Sequence, residues 1–250
     1  MTVDLRAFQA LPAASAGSAI AATAATAATT ATTATASAPA ATMTPAMELA
    51  LSSNFTSAAR WRDEFIALVE AHANEPGRVE LAFAARDGSL LNRWVLPEAG
   101  SHASELLAMA LPADDVAAAH AFVAGIDWAP VYQRYQDAVH VASEPFAAGQ
   151  GDVRRAGELA LLDVRRAGVF EAATAMLPGA TWRDPARVAD WAGALPAGRK
   201  VIVYCVYGHE VGRVTALRLR ACGVEARFLD GGFDAWQRAG LRTVPKGETP

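Results

Sequence analysis

The chain has 250 residues, of which 52% are hydrophobic and 19% charged, so its length allows one large domain or two smaller ones with a buried core. Its two cysteines, Cys205 and Cys222, are too few for a disulfide framework, which predicts free or catalytic thiols in a reducing, cytoplasmic setting. The formal net charge of −4 is unevenly divided, with 7 Lys/Arg against 16 Asp/Glu up to Asp152 and 15 against 10 from Val153 onward. The second half is therefore the one suited to an anionic substrate.

Residues 1–46 include the stretch AIAATAATAATTATTATASAPAATMTP, which almost lacks charges and large apolar residues. Such a segment cannot bury an apolar face, so we expect a disordered low-complexity tail. It has neither the basic cluster nor the leucine-rich stretch of a signal peptide, and no run of 18 strongly apolar residues follows it. We therefore expect no membrane association.

Residues 47–150 are predicted to form a small α+β domain of unassigned role. A helix is predicted from large apolar side chains at helical spacing, namely Trp61, Phe65, Leu68 and Val69. The stretch RVELAFAARDGSLLNRWVLP predicts a β-hairpin with a type I′ turn at Asp87-Gly88. Helices are expected in SHASELLAMAL and in the segment that begins PADDVAAAHAFV. We find no catalytic constellation in this part of the sequence.

Residues 152–246 alternate between short apolar runs and helical patterns. The predicted strands are LALLDV, KVIVYC and ARFLD, and the predicted helices are RVADWAGAL, EVGRVTALRLRACG and GGFDAWQRAG. Gly223 is positioned to cap the end of the second of these helices. This order predicts an α/β fold with a parallel sheet flanked by helices.

Cys205 ends a predicted strand and directly precedes a loop and a helix. Ligands of open α/β sheets bind at the carboxyl ends of strands, near helix N-termini. In the loop that follows, Gly208 allows a tight curl, so backbone N–H groups can turn toward the sulfur. With the helix dipole beginning near Glu210, these groups predict a thiol pKa depressed below about 8.5. The alternative is a buried structural cysteine.

Four stretches occur in an order and spacing that resembles a single rhodanese domain of the sulfurtransferase family. They are LLDVR (161–165), LPGA (177–180), VIVYCVYGHEV (201–211) and FLDGGFDAW (228–236). The loop CVYGHEV also resembles that of a rhodanese subgroup associated with chromate or oxyanion resistance, which identifies no substrate. The resemblance covers residues 152–246, about two-fifths of the chain.

The resemblance implies a persulfide on Cys205 that passes a sulfane sulfur from a donor to an acceptor. The donor would be a small-molecule or protein persulfide, and the acceptor a thiol or cyanide-type nucleophile. The substrate-binding residues implied are Val206, Tyr207, Gly208, His209, Glu210, Val211 and Arg213. Asp163 and Arg165 would support the fold. The alternative function is a non-catalytic rhodanese-like module that binds a partner or senses thiols or oxyanions.

The sequence departs from the family pattern in three places. Val169 stands where thiosulfate-using enzymes have arginine, and Ala175-Met176 replaces the usual Gly-His. The loop side chains are Val206, Tyr207, His209 and Glu210, where many members carry an arginine, lysine, serine or threonine. Glu210 would repel a dianion unless His209 or Arg213 offsets its charge. Thiosulfate is therefore a doubtful donor.

The pair His209-Glu210 has two interpretations. In one, His209 donates to the persulfide while Glu210 fixes its tautomer. In the other, Glu210 is an acidic residue in the first turn of a helix and His209 is solvated at the rim.

Other chemistries fit the sequence less well. A cysteine phosphatase needs an arginine six positions after the cysteine, where this chain has Val211. Cys222 is about 20 Å along the helix from Cys205 by helical rise, so we predict a small core residue. A single histidine near a cysteine makes no ligand set, so we expect no metal and no cofactor. No basic patch with interleaved aromatics predicts nucleic-acid binding.

Overall fold

A computed structural model of the chain describes residues 42–100, 104–111, 116–155, 159–195 and 198–246. Most of the predicted tail, residues 1–46, lies outside these ranges, and so does the predicted helix start at Pro112. Residues 45 and 46 already belong to the first helix. In the described ranges no helix has the length and apolar character needed to cross a membrane.

The described helices and strands alternate irregularly at first and regularly later. The α-helices are α1 (Pro45–Phe55), α2 (Ala58–Ala71), α3 (Val116–Ala124), α4 (Trp128–Ser143), α5 (Gln150–Arg155), α6 (Ala167–Ala172), α7 (Val188–Trp191), α8 (Glu210–Ala221) and α9 (Gly232–Arg238). The strands are β1 (Gly77–Ala84), β2 (Ser89–Val95), β3 (Glu105–Leu111), β4 (Ala147–Ala148), β5 (Leu159–Asp163), β6 (Ala175–Met176), β7 (Ala180–Trp182), β8 (Lys200–Tyr204), β9 (Ala226–Leu229) and β10 (Val244–Pro245). Short 3₁₀ turns occupy Glu144–Phe146, Pro185–Arg187 and Ala192–Ala194.

Residues 42–146, here called the N-terminal region, contain an antiparallel sheet in the order β2-β1-β3. The helices α1 to α4 bury their apolar side chains in one cluster with this sheet. The predicted helix with Trp61, Phe65 and Val69 is confirmed as α2, where all three side chains are buried.

The predicted hairpin is confirmed, but its turn is not of type I′. Ala84 pairs with Ser89, which leaves a connection of four residues. A type I′ turn needs positive φ at both central residues, whereas only Gly88 has one, at 70°. Asp87 instead accepts hydrogen bonds from the backbone N–H and the hydroxyl of Ser89, at 3.0 and 2.6 Å.

In the stretch SHASELLAMAL, the residues Glu105–Leu111 form a strand, β3, so the helix expected there was wrong. β1 is buried along most of its length and pairs with β3 on the side opposite β2. A buried strand edge needs a hydrogen-bonding partner, and this requirement outweighs the helical propensity of alanine and leucine. The helix α4 was not predicted at all.

Residues 147–246, here called the sheet region, form the expected α/β fold. Five parallel strands lie in the order β4-β9-β8-β5-β7, with helices on both faces. Val201 and Val203 of β8 face one apolar cluster, and Ile202 and Tyr204 face the other. The predicted helix RVADWAGAL is a succession of short 3₁₀ and α turns. Gly223 follows α8 with a φ of 83°, so the predicted cap is confirmed.

Helix α8 belongs to both regions. Its side chains Val214 and Leu217 are part of the N-terminal region's apolar cluster, while Ala216 and Leu219 pack against the parallel sheet. The hairpin turn approaches this helix so closely that a Cβ on Gly88 would lie 3.2 Å from Val214 Cγ1. The helix that follows Cys205 is therefore fixed from two sides.

Candidate functional site

Cys205 lies at the carboxyl end of β8, the central strand of the parallel sheet, and only 6% of its surface is exposed. Its thiol donates toward the carbonyl of His209, with an Sγ–O distance of 4.0 Å. A Cβ on Gly212 would lie 3.3 Å from Sγ, so the first turn of α8 passes directly beside the sulfur. The strand, loop and helix thus meet at the thiol, as the sequence predicts.

The loop after Cys205 is held from behind by the start of α9. The backbone N–H of Phe233 donates to the carbonyl of Cys205, and that of Asp234 donates to the carbonyl of Val206, both at 2.9 Å. Because these carbonyls point toward α9, the N–H groups farther along the loop are free to turn toward the sulfur.

Two glycines allow this close approach. Gly208 and Gly232 have φ values of 70° and 57°, in the left-handed region. A Cβ on Gly208 would lie 2.6 Å from the nitrogen of Gly231, and a Cβ on Gly232 would lie 2.5 Å from the nitrogen of Gly208. Any side chain at either position would push the loop away from α9. Gly232 was not among the predicted site residues, although it lies in the quoted stretch FLDGGFDAW.

The surroundings of the thiol raise its pKa. Burial is the largest cause, and the carboxylate of Glu210 acts in the same direction. The backbone N–H groups of Gly212, Gly208 and His209 oppose this by favouring the thiolate, but they do not outweigh burial. The expected depression of the pKa was therefore wrong, because the sequence pattern indicates the hydrogen-bond donors and not the depth of the sulfur.

A small cleft of about 100 Å³ opens above the thiol. Its walls are Arg165, Arg166, Val169, Cys205, Val206, Tyr207, His209, Glu210 and Val211. Six of the predicted site residues therefore lie together, from Cys205 to Val211 without Gly208. The two arginines at 165 and 166 were not predicted to line it.

Arg165 forms a buried ion pair with Asp163. It binds Asp163 through both guanidinium Nε, at 3.0 Å, and Nη2, at 2.6 Å, and it donates to the carbonyl of Ala175 at 2.9 Å. The hydroxyl of Tyr204 donates to the same carboxylate at 2.8 Å and accepts from the backbone N–H of Leu177 at 3.2 Å. This network joins β5, β8 and the LPGA segment, which agrees with a supporting role for Asp163 and Arg165.

Glu210, the first residue of α8, is buried and lies against the N-terminal region. The amide of Gln136 in α4 is 3.5 Å from Glu210 Oε2. Burial raises the pKa of the Tyr132 hydroxyl, and the charge of Glu210 and a hydrogen bond to its carboxylate act in the same direction. Glu210 is thus bound by two side chains of α4. Its sequence neighbour His209 is exposed, with its ring 5.7 Å from that of Tyr207.

Arg213 lies behind the loop and does not line the cleft with Cys205. Its guanidinium donates to the carbonyl of Gly208 at 2.9 Å and to the hydroxyl of Ser143 at 3.1 Å, and it stacks on Phe228 at 4.2 Å. The sequence indicated a positive charge near the loop but not the orientation of the Arg213 side chain, because its partner Ser143 is the last residue of α4.

A second and larger cavity, of about 540 Å³, lies between α4 and the outer side of the loop. Its lining combines both regions and consists of Gln133, Gln136, Asp137, His140, Tyr207, Gly208, His209, Glu210, Arg213, Asp230, Gly231 and Arg238. Glu210, His209 and Tyr207 border both this cavity and the cleft of Cys205.

Two further predictions concern Cys222 and metals. Cys222 is exposed at the end of α8, so its expected burial was wrong, because the helix ends there at the surface. In the described part of the chain, no group of three or more His, Cys, Asp or Glu residues is arranged to hold a metal ion.

One protein family and several solved structures resemble part of this chain. Residues 149–239 match the family model of the rhodanese-like domain. No curated protein matches the chain. A full-length protein from Lactobacillus plantarum resembles it with 23% sequence identity and a TM-score of 0.38, over 43% of this chain and 93% of that one. A protein of unknown function from Rhodopseudomonas palustris, described as a possible tyrosine phosphatase, resembles it with 18% identity and a TM-score of 0.38, over 43% of this chain and 92% of that one. A third similar structure is a thiosulfate sulfurtransferase from Pseudomonas aeruginosa, with 20% identity and a TM-score of 0.36, over 41% of this chain and 20% of that one.

The family match and the parallel sheet with Cys205 at its carboxyl edge lead to one conclusion. The resemblance seen in the sequence is confirmed, and residues 149–239 of this chain are a rhodanese-like domain.

Proposed function

We propose that the protein is a sulfurtransferase that moves a sulfane sulfur from a donor to a thiophilic acceptor through a persulfide on Cys205. The observation that carries this proposal is the position of the thiol. It lies at the base of a cleft, at the end of the central strand, with the N–H groups of Gly208, His209 and Gly212 directed at the sulfur. These donors can stabilise the negative charge of a thiolate or of the terminal sulfur of a persulfide.

The reaction has two displacements. The Cys205 thiolate attacks the transferable sulfur of the donor, the bond from that sulfur to the rest of the donor breaks (S–S in thiosulfate or a persulfide, C–S in 3-mercaptopyruvate), and the electron pair leaves with the donor fragment, while the thiol proton passes to solvent. The acceptor, a thiolate or cyanide, then attacks the outer sulfur of the persulfide, and the Cys205 thiolate is regenerated. No electrons are gained or lost overall, so the cycle needs no redox cofactor. Free thiols of this kind suit a reducing compartment such as the cytoplasm.

The loop supplies backbone rather than side-chain contacts to the donor. Its side chains that face the cleft are Val206, Tyr207, His209, Glu210 and Val211, and none of them is a permanent cation. We therefore assign donor recognition to a small-molecule or protein persulfide rather than to thiosulfate. Arg213 would act indirectly, by fixing the carbonyl of Gly208.

Intact-mass spectrometry tests the proposal. The purified protein is incubated with thiosulfate, 3-mercaptopyruvate or glutathione persulfide, and the mass is measured before and after cyanide. We expect a gain of about 32 Da, one sulfur atom, which cyanide removes and which a Cys205→Ser variant does not acquire. A Cys222→Ser variant is the matched control and should acquire the sulfur normally.

The second candidate function is a binding or sensing module without turnover. The observation that favours it is the raised pKa of Cys205, which leaves the resting thiol protonated and weakly nucleophilic. This candidate predicts no sulfur uptake from any donor, or an adduct on Cys205 that neither cyanide nor a thiol removes.

A further inference from the structure

Glu210 places a carboxylate in the wall of the Cys205 cleft. The side chain is buried, with 8% of its surface exposed, and its charge acts on the sulfur directly enough to oppose formation of the thiolate. A buried charge interacts more strongly with a nearby ligand than an exposed one does, because water screens it less. An anion that approaches Cys205 therefore meets this repulsion at short range.

The carboxylate is held by the N-terminal region and not by the loop. Tyr132 and Gln136, one turn apart on α4, both direct polar groups at it. Helix α4 is itself packed by Val131, Tyr135 and Val139, which are buried in the N-terminal cluster. The position of Glu210 is therefore set by two rigid helices.

The remaining charges of the cleft do not favour a dianion. Arg165 is neutralised by its bidentate pair with Asp163. Arg166 lines the cleft and is partly exposed, and its charge also acts on Tyr132. Apart from His209, one cation and one carboxylate remain, so the permanent charges of the cleft offer no net positive charge to a donor.

We propose that Glu210 determines the charge class of the sulfur donor, excluding dianions and admitting uncharged or zwitterionic persulfides, and that Tyr132 and Gln136 of the N-terminal region position it. This inference rests on the proposed function, because it names the class of donor for the same cysteine. It also gives the N-terminal region a role in the site, namely to hold the specificity-determining residue.

Alkylation of Cys205 tests the charge filter without any sulfur transfer. Iodoacetamide is neutral and iodoacetate is an anion, and both react with the same thiolate. The ratio of their rates is therefore independent of the fraction of thiolate and reports only the charge of the cleft. Peptide mass spectrometry follows Cys205 and the exposed Cys222 separately, so Cys222 is an internal reference.

We expect the iodoacetate-to-iodoacetamide ratio at Cys205 to be well below that at Cys222. Glu210→Gln, which keeps the size of the side chain and one acceptor oxygen, should raise the ratio at Cys205 by about tenfold. Arg166→Gln should lower it, because it removes the opposite charge. Glu225→Gln is the matched control and should leave it unchanged, since Glu225 is exposed and lies at the other end of the sheet, beside the start of β8.

Tyr132→Phe distinguishes positioning from mere structural support. Loss of the hydroxyl frees one side of the Glu210 carboxylate, so we expect the ratio to rise, but less than with Glu210→Gln. A purely structural role would lower the stability of the protein and leave the ratio unchanged, which would overturn the positioning role. Should Glu210→Gln fail to fold, the other two variants still test the charge filter: the iodoacetate-to-iodoacetamide ratio at Cys205 should rise in Tyr132→Phe and fall in Arg166→Gln.

The outcomes separate this inference from the proposed function. An unchanged ratio in Glu210→Gln, or an equal change in Glu225→Gln, would overturn the charge filter whatever the donor panel shows. Failure of every donor to form a persulfide would overturn the sulfurtransferase function. A second arm joins the two: thiosulfate should load Cys205 of Glu210→Gln faster than that of the wild type, while a simple alkyl persulfide, which carries no carboxylate, should gain less.

Discussion

The two regions of this protein differ in how their chemistry is recorded in the sequence. The sheet region carries its reactive group and supporting network in short, ordered stretches, and Cys205, Asp163 and Arg165 lie where those stretches predict. The N-terminal region carries no recognisable motif, yet Tyr132 and Gln136 bind a residue that lines the Cys205 cleft. The N-terminal region therefore shapes the cleft through its packing on one shared helix, α8.

The contact between the two regions is also different from what their charges suggested. The opposite net charges of the two halves, taken alone, would favour an association that salt weakens. In the structure, Val214 and Leu217 of α8 are embedded in the N-terminal apolar cluster, and Gly88 packs on the same face. Apolar burial is insensitive to salt screening, so the association should persist at high ionic strength.

The largest effect is expected from breaking the buried pair in the sheet region. Arg165→Met should lower the free energy of unfolding by about 4 kcal/mol, because it leaves Asp163 buried without its cation. The matched control is Arg187→Met. Arg187 also binds an aspartate at 2.6 Å, but that pair is exposed, so the loss should stay below about 1 kcal/mol. Urea unfolding measures both, and equal losses would contradict the argument.

The shared helix is tested next. Leu217→Ala should cost about 3 kcal/mol, because the side chain is 2% exposed and its removal leaves a cavity between α8 and the N-terminal cluster. Hydrogen exchange should show that amides of β1 and β8 lose protection together, in low and in high salt alike. Protection lost in β1 alone would mean that the two regions unfold separately.

Adding a single methyl group at Gly208 should destabilise the loop that follows Cys205. Gly208→Ala should cost about 2 kcal/mol more than Gly240→Ala and should slow alkylation or sulfur loading of Cys205. Both glycines have nearly the same positive φ, 70° and 67°, but a Cβ clashes with backbone only at Gly208. The difference between the variants therefore measures the close approach alone, and equal costs would show that backbone strain is the whole effect.

The smallest effect is a dependence of stability on pH. Because the pKa of Cys205 is raised in the folded protein, above all by burial, the folded state keeps a proton that the unfolded chain loses near pH 8.5. The free energy of unfolding of the wild type, relative to Cys205→Ser, should therefore fall above about pH 8.5, by at most ~1.4 kcal/mol per pH unit. Below that pH the difference should be constant. A difference that grows with pH would mean that the thiolate is the favoured form.

Sequence patterns correctly predicted the elements whose conformation depends mainly on residues close together in the chain. The apolar runs LALLDV, KVIVYC and ARFLD predict buried parallel strands, and Gly223 predicts the end of α8, because these features depend on short-range geometry. The patterns failed for Glu105–Leu111, whose strand conformation depends on pairing with the edge of β1, and for α4, which was not predicted although it touches the site.

For the proposed site, the sequence was enough to locate the thiol of Cys205 and the backbone that surrounds it. A cysteine at the end of a strand, a glycine loop and a following helix necessarily bring N–H groups near the sulfur. Only the tertiary structure decided the electrostatics. The depth of the thiol, the direction of Arg213 toward Ser143, and the binding of Glu210 by Tyr132 all depend on how α4 packs on α8. Those contacts join residues at least 70 positions apart, and no local pattern predicts them.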